Sequence, residues 1–106
     1  MDVETLLTGI KWEIIEIISK KPSSPTELAE KINTTVANVS QQLRLLQTAG
    51  LTKRKRISQL KPGKPRTQFS LADDYAIIIT VASNFTKKKL IKLTSDQKTT
   101  LKKWLE

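Results

Sequence analysis

Three short apolar periods, each stepping by three or four residues and each cut off by a strong stop, occupy the first fifty residues. In the first, Leu6, Leu7, Ile10, Ile14, Ile17 and Ile18 recur at helical spacing, with Glu4, Lys11, Glu13, Glu16 and Lys20 mostly between them. This predicts a helix over about 3–19, with Gly9 as a break or a close-packing point. Lys21-Pro22-Ser23-Ser24-Pro25 ends it, because a proline disfavours helix at the residue before it. Pro25-Thr26-Glu27 opens a second helix through about Ile32, with Leu28, Ala29 and Ile32 as its inner face. Proline suits a helix start, where its missing N–H is no loss. Asn33-Thr34-Thr35 is a turn, and Thr35 is a good N-cap for a third helix over 36–48. Residues placed 100° apart put Val39, Leu43 and Leu46 on one side of it. Ala37, Gln41, Arg44 and Thr48 fall on the other. Gly50 stops this helix as a glycine C-cap does.

The pattern then changes. Residues 51–58 are compatible with a strand, 60–65 form a loop with Pro62-Gly63 at its centre, and 67–71 alternate. Phe69 and Leu71 face one way, Gln68 and Ser70 the other, which predicts a β-hairpin with a basic tip. After Leu71 a helical reading returns. Asp73 and Asp74 suit a helix N-terminus, and the run from Tyr75 through Ile77, Ile78, Ile79, Val81 and Ala82 to Phe85 is apolar on more than one face. Residues 86–89 extend that expected helix. Leu93 followed by Thr94-Ser95-Asp96-Gln97 reads as a capping box opening a last helix to about Leu105, striped by Leu101, Trp104 and Leu105.

A chain of 106 residues makes one domain, with one modest core and an appended element. It has no cysteine and no histidine. Disulfides, thiolate metal sites and Cys nucleophiles are therefore excluded, and the commonest general base is missing. No metal site or cofactor is implied, and an enzyme is not expected: Asp73–Asp74 and Glu13–Glu16 read as helix-start electrostatics and a solvated face. The net charge of +9 is unevenly placed. Residues 1–52 sum to −1, from five basic and six acidic side chains; residues 53–106 sum to +10, from fourteen basic and four acidic. Seven of those cations lie within 53–66, which holds no acid. Such a bias points to a polyanionic partner. No apolar run reaches the roughly 20 residues of a membrane span, and the acidic N-terminus lacks a signal-peptide layout. The expected location is cytoplasmic, and nucleoid-associated if the source is prokaryotic.

Helix, short helix, tight turn, helix, basic hairpin is the order of a winged helix-turn-helix. Residues 27–51 resemble the helix-turn-helix of ArsR-type and MarR-type transcription regulators. The match is carried by Glu27-Leu28-Ala29, Val39-Ser40, Leu43-Arg44, and Leu46 through Ala49-Gly50-Leu51. Gly63-Lys64-Pro65-Arg66 and Phe69-Ser70-Leu71 are similar to the wing. The implied fold is mainly α with a small β-hairpin wing, plus C-terminal helices. The implied division is a DNA-binding domain over 1–72 and a helical, dimerising extension over 73–106. Many ArsR-type regulators sense metals through Cys and His; this chain offers neither, so soft-metal sensing is not expected.

The resemblance places helix 36–48 in the major groove of double-stranded DNA. Thr35, Ala37, Asn38, Ser40, Gln41 and Arg44 are the candidate contacts: Arg can grip guanine and Gln adenine, and short polar side chains reach phosphates or cap the helix. In the wing, Arg54, Arg56, Lys61, Lys64 and Arg66 are the candidates for a minor groove or its phosphates. The bland alternatives are a solvated helix face and an edge strand guarded by lysine. The first helix and 75–85 hold more apolar surface than one small domain needs. A two-fold homodimer through Leu6, Leu7, Ile10, Tyr75, Ile78, Ile79, Ala82 and Phe85 is therefore expected. The leading function is a homodimeric, sequence-specific regulator, with any small-molecule effector unknown. A low-specificity architectural chromatin protein and a protein-interaction winged helix are the competing readings.

Overall fold

The computed structural model describes residues 3–57 and 66–106. A 3₁₀ turn over Val3–Leu7 leads into α1 (Lys11–Lys20), α2 (Pro25–Ile32) and α3 (Val36–Thr48). Then come β1 (Thr52–Ile57), β2 (Arg66–Leu71), β3 (Tyr75–Ala82), β4 (Phe85–Lys92) and α4 (Ser95–Leu105). The expected first helix is therefore divided. Gly9 has φ +61, the left-handed conformation that glycine adopts freely, and it separates the turn from α1.

The helix ends follow local chemistry. Ser24 and Glu27 form a reciprocal capping box at the start of α2, with Pro25 in its first turn. α3 closes in a Schellman motif. The Leu51 N–H donates to the Leu46 carbonyl and the Gly50 N–H to that of Gln47, with Gly50 at φ +82. This motif turns the chain directly from α3 into β1. Leu51, at the turn, is buried with Leu46.

The core joins Leu6, Ile14, Ile18, Leu28, Ala29, Val39, Leu43, Leu46, Leu51 and Phe69. Ile14, Leu28, Val39, Leu43 and Leu46 are fully buried. β1 and β2 are antiparallel, Arg54 facing Phe69 and Lys55 facing Gln68. A third short segment completes this sheet. Ser23, in the α1–α2 connection, exchanges two main-chain hydrogen bonds with Phe69, of 3.0 and 2.8 Å. The Ser23 side chain is also buried, its hydroxyl donating to the Lys21 carbonyl.

Residues 75–85, expected as a helix, instead form β3, the Ser83-Asn84 turn and the start of β4. The physical reason lies in side-chain shape. Ile77-Ile78-Ile79-Thr80-Val81 is an unbroken β-branched run, which a helix crowds and a strand accommodates. Asn84 supplies the turn with φ +62, a conformation asparagine tolerates better than most residues. The extension is thus one hairpin and one helix, α4, capped as expected by the Thr94–Gln97 box.

One face of the second hairpin rests on the helical body. Tyr75, Ile77 and Leu90 pack against the core, and the Tyr75 hydroxyl donates to the Gly50 carbonyl at 2.9 Å. The contact is incomplete. A cavity of about 450 Å³ remains, lined by Leu6, Leu7, Trp12, Leu51, Tyr75 and Ile77 among others. Lys88 pairs with Glu4, and Lys92 lies 3.4 Å from Asp73. α4 buries no residue; of the expected stripe Leu101 is half-buried, lining a recess with Ile78 and Ile91, while Trp104 and Leu105 stay 82% and 83% exposed. The radius of gyration is 16.0 Å, against about 13 Å for a compact chain of this length.

Two outcomes follow from this packing. Leu43→Ala should lower stability by about 2–5 kcal/mol in denaturant unfolding, whereas Gln41→Ala should change it by less than about 0.5 kcal/mol. The second concerns pH. The bond from Lys88 holds Glu4 below its ordinary value, and the Asp74 backbone N–H, followed by Lys92, does the same for Asp73. A depressed carboxylate stabilises the fold above its ordinary pKa and loses that contribution as pH falls through the depressed value. The protection of β4 amides, taken relative to their intrinsic exchange rate at each pH, should therefore fall on acidification below about pH 4, while that of the Ser23–Phe69 pair stays constant. Glu4→Gln should abolish the Glu4 share of that pH dependence.

Candidate nucleic-acid interface

The turn between α2 and α3 is built from three residues with separate tasks. Asn33 ends α2 in the left-handed region at φ +63. Thr34 sends its backbone N–H to the Ala29 carbonyl at 3.0 Å. Thr35 caps α3, its hydroxyl accepting from the Asn38 N–H at 3.0 Å. The Asn38 side chain donates back to the Thr34 hydroxyl at 3.1 Å. Two of the expected contact residues, Thr35 and Asn38, thus fix the angle at which α3 leaves the turn. Gln42 is half-buried, with its amide nitrogen directed at Asn38.

Beyond the turn, α3 is sharply two-sided. Val39, Leu43 and Leu46 are buried, while Ala37, Gln41, Arg44 and Thr48 form an exposed ridge opposite them. Ser40 lies on the flank, half-buried. Val36, not singled out from the sequence, is 45% exposed beside Ala37 at the helix start. Its apolar character conceals it in the sequence, but the exposed pair is suited to contact with a thymine methyl group.

The wing presents its cations on both faces. Directly opposed residues of an antiparallel pair share a face. Arg54 and Arg56 therefore lie on the face of Phe69 and Thr67, and Lys53 and Lys55 on that of Ser70 and Gln68. All four cations are exposed, because β1 continues beyond the core. Arg66 opens β2, opposite Ile57. Lys61 and Lys64 lie outside the described residues.

Charge sign separates along the molecule. The carboxylates of the helical body are on α1 and α2: Glu13, Glu16, Glu27 and Glu30. Between Glu30 and Asp73 the sequence contains no acidic residue, and this interval spans the turn, α3 and the whole wing. That gap is visible in the sequence and extends well beyond the basic segment alone. An anion approaching α3 and β1 meets cations and polar side chains without a carboxylate from either element.

Of the residues expected at a dimer interface, Leu6, Leu7, Tyr75 and Ile79 line the same cavity beside the second hairpin, and Ile78 lines a separate recess next to α4. Leu6 is 3% exposed, packed in the core of its own chain and closed to a partner; this corrects the expectation. Ile10 and Tyr75 are half-buried against the same core. Leu7, Ile78, Ile79 and Phe85 remain 42–55% exposed, and Ala82 is exposed too. Trp12, at 42% exposed, belongs with them although the helical pattern does not mark it.

No helix among the described residues is long and apolar enough to cross a membrane. Residues 9–53 match the family described as bacterial regulatory protein, arsR family. The match covers α1, α2, the turn, α3 and the entry to the wing. Comparison with curated proteins gives no significant match.

Replacing Thr35 with Ala should cost about 1 kcal/mol through removal of the cap. Thr35→Ser should recover most of it, as read by thermal unfolding.

Proposed function

Because residues 9–53 match the bacterial arsR regulatory family, we propose that this chain is a sequence-specific DNA-binding regulator of the winged helix-turn-helix type that acts as a homodimer. The reading rests chiefly on one observation. The exposed ridge of α3 and the four exposed cations of β1 share a stretch of chain free of acidic residues.

In this reading α3 enters the major groove. Arg44 and Gln41 are the base readers, each good bidentate pair supplying about 1–3 kcal/mol of discrimination. Val36 and Ala37 lie at the leading end of the helix, and Thr35, Asn38 and Ser40 set its position near the phosphates. The wing adds affinity. Arg54, Arg56, Arg66 and the tip lysines Lys61 and Lys64 follow a minor groove or its phosphates, where narrow A·T-rich segments hold cations best. Only one cation, Arg44, stands on α3 itself, so attraction and sequence choice are largely assigned to different elements.

A homodimer would set two copies of α3 about one DNA turn apart, roughly 34 Å, and favour a pseudo-palindromic site. Residues 73–106 act as the dimerising extension, with Leu7, Ile78, Ile79, Ala82 and Phe85 offering apolar surface.

Selection of bound duplexes from a random pool at two salt concentrations tests the reading. A recovered motif, bound about 10³-fold or more above random DNA, is expected. Equal binding to all duplexes would make the chain an architectural protein, and no retained DNA would make it a protein-interaction module. Arg44→Ala should lower affinity for the selected site while leaving random DNA nearly unaffected. Arg54→Ala with Arg56→Ala should weaken all duplexes alike. It should also reduce the slope of log affinity against log salt by about one for each phosphate that is no longer neutralised.

A further inference from the structure

The second hairpin has two strand edges of very different character. β4 carries Lys87, Lys88, Lys89 and Lys92. β3 reads Tyr-Ala-Ile-Ile-Ile-Thr-Val-Ala and carries no charge. Among the described residues β3 pairs with β4 alone, and no main-chain hydrogen bond joins it to any other segment. Every second residue of β3 therefore directs its N–H and C=O outward, as a template for another strand. A two-stranded sheet is marginal by itself, and this one sits on an incompletely filled apolar contact.

We propose that two copies of the chain join β3 to β3, antiparallel across a two-fold axis, in a four-stranded sheet of order β4-β3-β3-β4. This rests on the homodimer reading above and specifies how that dimer is built. A second copy fits this edge for two reasons. Antiparallel pairing about a two-fold is self-complementary, so one edge suffices for both partners. A chain with net charge +9 must also meet its copy through uncharged surface. Pairing through β4 would set lysine against lysine, and like charges directly opposed are destabilising. Edge lysines are a common guard against strand addition; here they close one edge and leave the other open. The same pairing lays Ile78, Ile79 and Val81, now 42%, 50% and 84% exposed, against β3 of the second copy.

The absence of native cysteine makes the test clean. Single cysteines are placed in turn at Ile77, Ile78, Ile79 and Thr80, with Lys88→Cys as the control on the guarded edge. Each protein is oxidised mildly and run without reductant, and the unmodified chain is sized by sedimentation. Opposed residues in an antiparallel pair lie about 4.5–5.5 Å apart between Cα atoms, within disulfide reach. Only a residue at the axis meets its own copy. The expected result is twice the 12.0 kDa monomer mass for the unmodified chain, with disulfide formation peaking at one or two adjacent β3 positions and falling away on either side. Ile78→Lys with Ile79→Lys should shift the mass to that of the monomer. A dimer in which no β3 cysteine cross-links above Lys88→Cys, or in which all do so equally, overturns the edge pairing and leaves the homodimer standing. A monomeric unmodified chain overturns both.

Discussion

Two main-chain hydrogen bonds between Ser23 and Phe69 hold the wing to the helical body, and the geometry of the candidate interface depends on them. An isolated hairpin is barely stable in water. Here β2 is fixed on one side by Ser23 and anchored by the buried Phe69 ring, while the Ala72 N–H donates to the Leu51 carbonyl at 2.9 Å and closes the base of the hairpin. β1 is attached to β2 and follows α3 directly through the Schellman turn. The cations of β1 therefore stand in a set relation to the exposed ridge of α3.

In the proposed DNA-binding reading, that arrangement separates two electrostatic tasks. Long-range attraction to a polyanion needs net charge and tolerates imprecise placement, so an edge strand that outruns the core can supply it. Base discrimination needs few side chains held at fixed angles. On α3 the angle comes from caps and packing: Thr35 and Asn38 at the start, Val39, Leu43 and Leu46 beneath, and Gly50 at the end. The acids of α1 and α2 solvate or cap helices without entering the stretch from the turn to the wing.

How legible each part is in the sequence depends on how local its signal is. α2, α3 and α4 have proline, capping residues and apolar spacing within a few positions of each end, and they form where expected. The exposed residues of α3 follow from the same spacing. The second hairpin reads as a helix because Ile77, Ile78 and Ile79 put apolar groups on both faces and erase the alternation that marks a strand; β-branching and Ser83-Asn84 carry the true signal. The Ser23–Phe69 pairing joins residues far apart in the chain and has no local signature. Leu6 reads as interface because periodicity marks an apolar face without saying which partner covers it.

The sequence by itself determined α2, α3, the turn between them, the pairing of the basic strands and the acid-free interval that unites them. These follow from backbone preference, capping and charge, all of which act over a few residues. Tertiary structure decided the rest: that β2 is paired on both sides, that Leu6 belongs to its own core, and that β3 leaves an uncharged edge open while β4 guards the other. Those outcomes depend on which distant segments exclude water from one another, and a linear pattern does not encode that choice.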